Sequence, residues 1–114
     1  MEVRRSLDAI VREVGGRGPD YAISDETRIF HDMRIYGDDA YELLEAIAKT
    51  FGTRFDGFDG QAYIPNQGDL TGIRIARLFG RRFAWRPLTF GHLLNVVEAG
   101  RWFDPPDTAN VAWP

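Results

Sequence analysis

Apolar residues recur three and four positions apart in three segments of the chain. This spacing places them on one side of an amphipathic helix, and it predicts helices over residues 2–14, 37–51 and 90–99. Glycine follows each of the three segments, and glycine readily takes the left-handed conformation that ends many helices. These glycines are Gly15, Gly52 and Gly100.

The residues that begin the second and third segments suit helix N-termini. Thr89 is expected to cap the third helix with its side-chain oxygen. Asp39, with Glu42 three residues later, resembles a capping box in which aspartate replaces serine or threonine. Asp38 and Asp39 also stand where the partial positive charge of a helix N-terminus favours acidic side chains.

The chain between these helices lacks a helical period. Residues 20–36 form a polar connection with a few apolar anchors, and residues 53–68, rich in aromatic residues and glycine, are expected to be loop and short turns. Residues 69–79 fit either a short helix or a short strand, and we favour the helix. With an irregular tail over residues 104–114, the chain is expected to form a single, mainly α-helical domain.

Composition excludes several classes of protein. A chain of 114 residues, 44% apolar and 27% charged, has the size and balance of one globular domain. It has no cysteine, which excludes disulfides, thiolate metal sites and a cysteine nucleophile. The sequence has no run of about 18 apolar residues, so no membrane span is predicted. The N-terminus also lacks the apolar core of a signal peptide. A cytoplasmic protein with no membrane partner is therefore expected.

Charge is unevenly distributed along the chain, whose net charge is −3. Residues 20–60 carry ten acidic and four basic residues, whereas residues 70–90 carry five arginines and no acid. Such asymmetry can attract a charged partner, or it can hold two parts of one domain together.

Residues 30–52 resemble the central segment of acyl carrier proteins. The pair Asp32-Met33 is similar to an Asp-Leu pair of that family, Glu42-Leu43 is similar to its Glu-Leu pair, and Phe51 is similar to the aromatic residue that closes its long acidic helix. The helix after Thr89 resembles the last helix of the carrier bundle.

A wider resemblance links the chain to a family of small bacterial proteins described as acyl-carrier-like and of unknown function. It rests on the stretches Gly37-Asp38-Asp39, Pro87-Leu88-Thr89 and Ala99-Gly100-Arg101-Trp102. The resemblance implies a bundle of three to four helices with an arginine-rich insertion before the last helix.

One position departs from the carrier pattern. The serine that accepts the phosphopantetheine arm in carrier proteins falls on Gly37, which has no hydroxyl. We therefore expect no phosphopantetheine, and no other cofactor is indicated.

Carrier proteins dock on basic patches of enzymes through this same helix, so the resemblance implies a non-catalytic protein-interaction module. The expected partner is a protein, such as a fatty-acid or polyketide-type enzyme. The expected partner-binding residues lie on the helix that starts at Gly37 and in the arginine-rich segment. They are Asp38, Asp39, Glu42, Glu45, Arg74 and Arg77.

Two other functions remain open from the sequence. The chain could be a true acyl carrier that is modified at an unexpected residue. It could also be a small nucleic-acid-binding protein that uses the segment from Arg74 to Arg86, where Phe83 and Trp85 stand between arginines. The acidic net charge argues against nucleic acid as the main partner.

Metal binding and catalysis have little support in the sequence. Asp32, Asp38, Asp39 and Glu42 lack the spacing of a calcium loop, and we interpret the last three as helix-start residues. His31 and His92 show no metal-ligand spacing. Since no nucleophile–base pair can be assembled either, we expect neither a metal site nor an enzyme.

Overall fold

The computed structural model describes residues 2–65, 84–106 and 110–112. These residues form a mainly helical globule, as the periodicity predicts. Four helices occur in this part of the chain: α1 (Val3–Val14), α2 (Gly37–Phe51), α3 (Gly60–Tyr63) and α4 (Phe90–Ala99). Two strands, β1 (Ala84–Trp85) and β2 (Val111–Ala112), complete the elements described.

The three long helices bury their apolar faces in one common core. α1 packs against both α2 and α4. Each helix contributes side chains with no exposed surface, because the period of its apolar residues matches the helical turn. These side chains are Leu7 and Val11 of α1, Ala40, Leu43 and Ile47 of α2, and Leu93 and Val96 of α4.

The long connection before α2 is part of this core. Ile29 and Phe30 have no exposed surface, and Met33 is 2% exposed. The backbone N–H of Ile29 donates to the carbonyl of Leu88, and that of Phe90 donates to the carbonyl of Thr27. The connection is irregular, as expected, but these hydrogen bonds pair it with the chain that leads into α4.

Most of the predicted helix ends are confirmed. Gly52 and Gly100 end α2 and α4 with φ angles of 72° and 80°, which are left-handed. The side-chain oxygen of Thr89 accepts a hydrogen bond from the backbone N–H of His92 and so caps α4. At the end of α1, Gly15 is right-handed and the next residue, Gly16, takes the left-handed conformation with φ of 65°.

Two parts of the chain differ from the prediction. The segment expected to be loop and short turns contains the one-turn helix α3, whose start is capped by the Asp59 side chain accepting from the N–H of Gln61. The tail expected to be irregular contains β2, which pairs antiparallel with β1 through Ala84↔Ala112 and Trp85↔Val111. Two-residue strands carry too short an alternation to be recognised from sequence.

The helix favoured over residues 69–79 lies outside the described residues, as do Arg74 and Arg77. Within the part of the chain that is described, no helix has the length and apolar character needed to cross a membrane.

Truncation of a core side chain tests this packing. We expect Leu43→Ala to lower the free energy of unfolding by about 2–5 kcal/mol, because it removes buried contacts and leaves a cavity between helices. Urea denaturation followed by circular dichroism measures this change. Glu98→Gln on the exposed side of α4 is the control and should change stability by less than about 0.5 kcal/mol. Equal stability of Leu43→Ala and the parent protein would contradict the packing.

Candidate functional site: the outer face of α2

α2 is amphipathic, and its two sides differ sharply. Its inner side is buried in the core, whereas the four predicted acidic residues all lie exposed on its outer side. At 100° per residue, three of them form one stripe along the helix and the fourth flanks it. The stripe is Asp38, Glu42 and Glu45, and Asp39 lies beside it. We call these four residues and Tyr41 the acidic face.

The N-terminus of α2 is fixed by its backbone. Gly37 has a φ of 57°, a conformation that side-chain-bearing residues rarely adopt, and its N–H donates to the carbonyl of Pro65 at 3.0 Å. A Cβ at Gly37 would meet no atom within 4 Å, so a side chain would not be crowded at this position. The preference for glycine therefore comes from the backbone angle alone. The first residue of α2 thus has a conformational reason to be glycine.

The predicted capping box is wrong. α2 begins at Gly37, with Tyr36 as its N-cap and no side-chain cap hydrogen bond. Asp38 and Asp39 therefore lie inside the first turn. In this position their negative charges interact favourably with the unpaired N–H groups of the helix start, a contribution of about 0.3–1 kcal/mol per residue.

The charge of the acidic face is not neutralised by the rest of the described chain. Across residues 2–65, 84–106 and 110–112, no ion pair involves any of its four carboxylates. Several acids elsewhere pair with arginines at 2.5–2.8 Å. These pairs are Asp8–Arg12, Asp25–Arg4, Asp32–Arg28 and Asp56–Arg54.

Tyr41 lies within this face and is 51% exposed, the one large hydrophobic residue exposed to this degree among the described residues. It is three residues after Asp38 and four before Glu45, so the helical turn places it beside both carboxylates. Its hydroxyl reaches over Gly60, where a Cβ would collide with it. The acidic face thus combines negative charge with one aromatic ring.

Metal binding by these carboxylates is not indicated. In the described part of the chain, no three histidine, aspartate or glutamate side chains are grouped closely enough to hold a metal ion. Asp32, weighed with them from sequence, faces Arg28 instead. Partial burial raises the pKa of Asp32, but the hydrogen bonds from the side chain and N–H of Arg28 outweigh burial and hold that pKa below its ordinary value.

One arginine of the basic segment is described, and its contacts are within the chain. A guanidinium nitrogen of Arg86 lies 3.7 Å from a carboxylate oxygen of Asp104, and another donates to the carbonyl of Pro105. Its guanidinium also lies over the Tyr63 ring, 5.3 Å from the centroid. At this end of the basic segment, the arginine supports the fold.

Sequence reasoning missed a polar group at Asp104. The same oxygen of Asp104 accepts from the Tyr63 hydroxyl and from the Trp102 indole N–H, each at 3.2 Å. Burial raises the pKa of Tyr63 to about 12. The Tyr63 and Trp102 rings belong to an aromatic cluster with Phe55 and Phe58. No sequence signal joins residues 41 positions apart, so only the fold reveals the group.

The two histidines are buried and lie in different environments. His31 has no exposed surface, and its Nε2 donates to the carbonyl of Val111 at 2.8 Å. His92 is 8% exposed, and its Nε2 donates to the carbonyl of Phe103 at 2.8 Å. Both histidines bind main-chain carbonyls of the C-terminal part of the chain.

A comparison with protein-family models identifies the family. The model of a family described as protein of unknown function (DUF1493) matches residues 5–104. The chain belongs to the DUF1493 family. No curated protein and no solved structure shows significant similarity to this DUF1493 chain.

This match corrects the resemblance drawn from residues 30–52. The family of the DUF1493 chain has no described function, and nothing in the comparisons indicates an acyl carrier protein. The motifs that carried the resemblance are features of an amphipathic helix: an acidic start, leucines on its inner side and a closing Phe51. Helices of unrelated proteins share these features because burial and the helix dipole require them.

The Asp104 group generates a test of its own. We expect Asp104→Ala to lower the free energy of unfolding by about 1–3 kcal/mol, because the buried Tyr63 hydroxyl loses its acceptor. Tyr63→Phe in the same background removes that donor and should recover part of the loss. A double-mutant cycle by urea denaturation measures the coupling between the two side chains. Strictly additive effects would show that the hydrogen bond contributes nothing.

Proposed function

We propose that the chain is a non-catalytic protein-interaction module that docks through the acidic face of α2 on a basic surface of a partner protein. The observation that carries this proposal is that one helix face combines an exposed tyrosine with exposed carboxylates that form no ion pair among the described residues. Asp38, Glu42 and Glu45 provide the charge, and Tyr41 provides the aromatic ring.

The electrostatics of the face support an attractive, charge-selective encounter. Carboxylates that pair with arginines of their own chain present little net field, whereas the acidic face keeps its negative charge within the described structure. Such a field accelerates association with a basic surface and disfavours acidic partners. It also makes binding sensitive to salt, because exposed charges are screened over about 8 Å at physiological ionic strength.

Tyr41 adds an aromatic contact to the charge of the acidic face. Tyrosine and arginine are enriched among the residues that dominate binding energy at protein interfaces. A ring flanked by carboxylates suits the guanidinium of an arginine, which can stack on the ring while it donates to a carboxylate. The partner surface we propose is therefore rich in arginine, with lysine a weaker substitute.

The acidic face is also held in place by contacts at both ends of α2 and along its inner side. The N-terminus of α2 is held by the hydrogen bond from Gly37 to Pro65, its C-terminus is capped at Gly52, and its inner side is packed in the core. A preformed helix loses little conformational entropy on binding, so more of the interaction energy contributes to affinity.

A pair of charge-neutralising substitutions tests this proposal. We expect Asp38→Asn with Asp39→Asn to weaken binding to the partner about tenfold, equivalent to about 1.4 kcal/mol. Circular dichroism should stay that of the parent, and the free energy of unfolding should fall by about 0.6–2 kcal/mol, the contribution of the two charges to the helix start. The chain is immobilised and proteins retained from lysate are identified by mass spectrometry. Those lost with the double variant are then titrated by calorimetry at two salt concentrations.

The matched control is Glu13→Gln with Glu98→Gln. This variant changes net charge equally, but its exposed residues lie on α1 and α4. The proposal requires that the control retains the partner and that Tyr41→Ala weakens it. Retention of the same proteins by the Asp38/Asp39 variant, with unchanged affinity, would refute the acidic face as the docking surface.

A further inference from the structure

Gly60, the first residue of α3, lies against the side chain of Tyr41 on α2. A Cβ at position 60 would collide with the Tyr41 hydroxyl, and it would lie 3.0 and 3.2 Å from the ring atoms Cζ and Cε1. Apart from its chain neighbours and the backbone of its own helix, the three atoms nearest to this Cβ all belong to Tyr41. The hydroxyl end of the ring therefore packs directly against α3.

The backbone gives no reason for glycine at position 60. Gly37, Gly52 and Gly100 have positive φ angles, which favour glycine, whereas Gly60 does not have a positive φ. Gly60 takes a helical conformation, and alanine is a better helix former than glycine. A larger residue at position 60 would therefore disturb the Tyr41 side chain, and it would not strain the chain of α3.

Tyr41 is held by α3 at its hydroxyl end, while the residue as a whole stays 51% exposed. A side chain on the outer side of a helix otherwise samples several rotamers. The contact with Gly60 favours the rotamer in which the hydroxyl reaches α3. A ring that is already oriented loses less conformational freedom when a partner binds, so more of the contact energy contributes to affinity.

We propose that Gly60 is a positioning residue for docking: it leaves space for the Tyr41 hydroxyl and so keeps the ring beside the carboxylates of the acidic face. A partner's arginine can then contact the ring and a carboxylate together. This inference rests on the proposed function, because Gly60 acts only through Tyr41. A methyl group at position 60 displaces the far end of an exposed side chain, so the acidic face keeps its charge and loses the position of its ring.

NMR on the full chain tests the position of the ring in Gly60→Ala. In the parent protein we expect nuclear Overhauser contacts between the Tyr41 ring and Gly60, and three-bond couplings that report one χ1 rotamer. In Gly60→Ala we expect these couplings to change, while the urea midpoint equals or exceeds that of the parent. Gly18→Ala is the matched control, because a Cβ at Gly18 would meet no atom within 4 Å. It should leave the couplings of Tyr41 unchanged.

Binding is measured by titration with a hexaarginine peptide as the probe of an arginine-rich surface. We expect Gly60→Ala to weaken binding about three- to tenfold, the cost of ordering a side chain that is no longer held. Gly18→Ala should bind as the parent does. In a Tyr41→Ala background, Gly60→Ala should have no further effect, because a positioning residue acts only through the ring that it positions.

Failure of this inference can be distinguished from failure of the proposed function. If Tyr41→Ala binds hexaarginine as tightly as the parent, the ring has no part in docking and both are overturned. If Tyr41→Ala weakens binding, but Gly60→Ala displaces the ring and binds as the parent does, only the role of Gly60 is overturned. That role is also overturned if Gly60→Ala leaves the Tyr41 couplings unchanged, or if it fails to fold.

Discussion

The pairing of the long connection with the chain before α4 is the constraint on which the rest of the structure depends. Hydrogen bonds join Ile29 to Leu88 and Phe90 to Thr27, and a further bond joins Gly91 to Asp25. These bonds satisfy backbone groups that would otherwise be buried without partners. They allow Ile29 and Phe30 to fill the space between the helices. A connection without regular secondary structure therefore forms part of the core.

The helices could be predicted from the sequence, and the pairing of the connection could not. Periodicity, Thr89 and the glycines after each segment are local signals, and local signals determine where α1, α2 and α4 lie. The start of α2 at Gly37 agrees with the prediction, but the capping box does not form, because Asp39 lies inside the first turn and Tyr36 is the N-cap. The β1–β2 pair and the Asp104 group depend on contacts between residues far apart in the chain. Such contacts leave no periodic pattern in a single sequence.

The acidic residues of α2 could be recognised from the sequence as a charge pattern. Whether their carboxylates form ion pairs could not be predicted. From sequence, the excess of acids over residues 20–60 is equally consistent with ion pairs inside the domain. Within the described residues, the structure distinguishes acids that form ion pairs from acids that do not. Asp25, Asp32 and Asp56 bind arginines, whereas Asp38, Glu42 and Glu45 point outward from a helix whose opposite side is buried.

The hydrogen bonds described for α2 and those described for β2 involve different residues. The face is fixed by Gly37, Gly52 and the core side of α2, none of which contacts β2 through a described hydrogen bond. Arg86, which follows β1, is bound by Asp104 and Pro105, and its own N–H donates to Ala62. Among the described residues, the acidic face and the C-terminal strand therefore share no hydrogen bond.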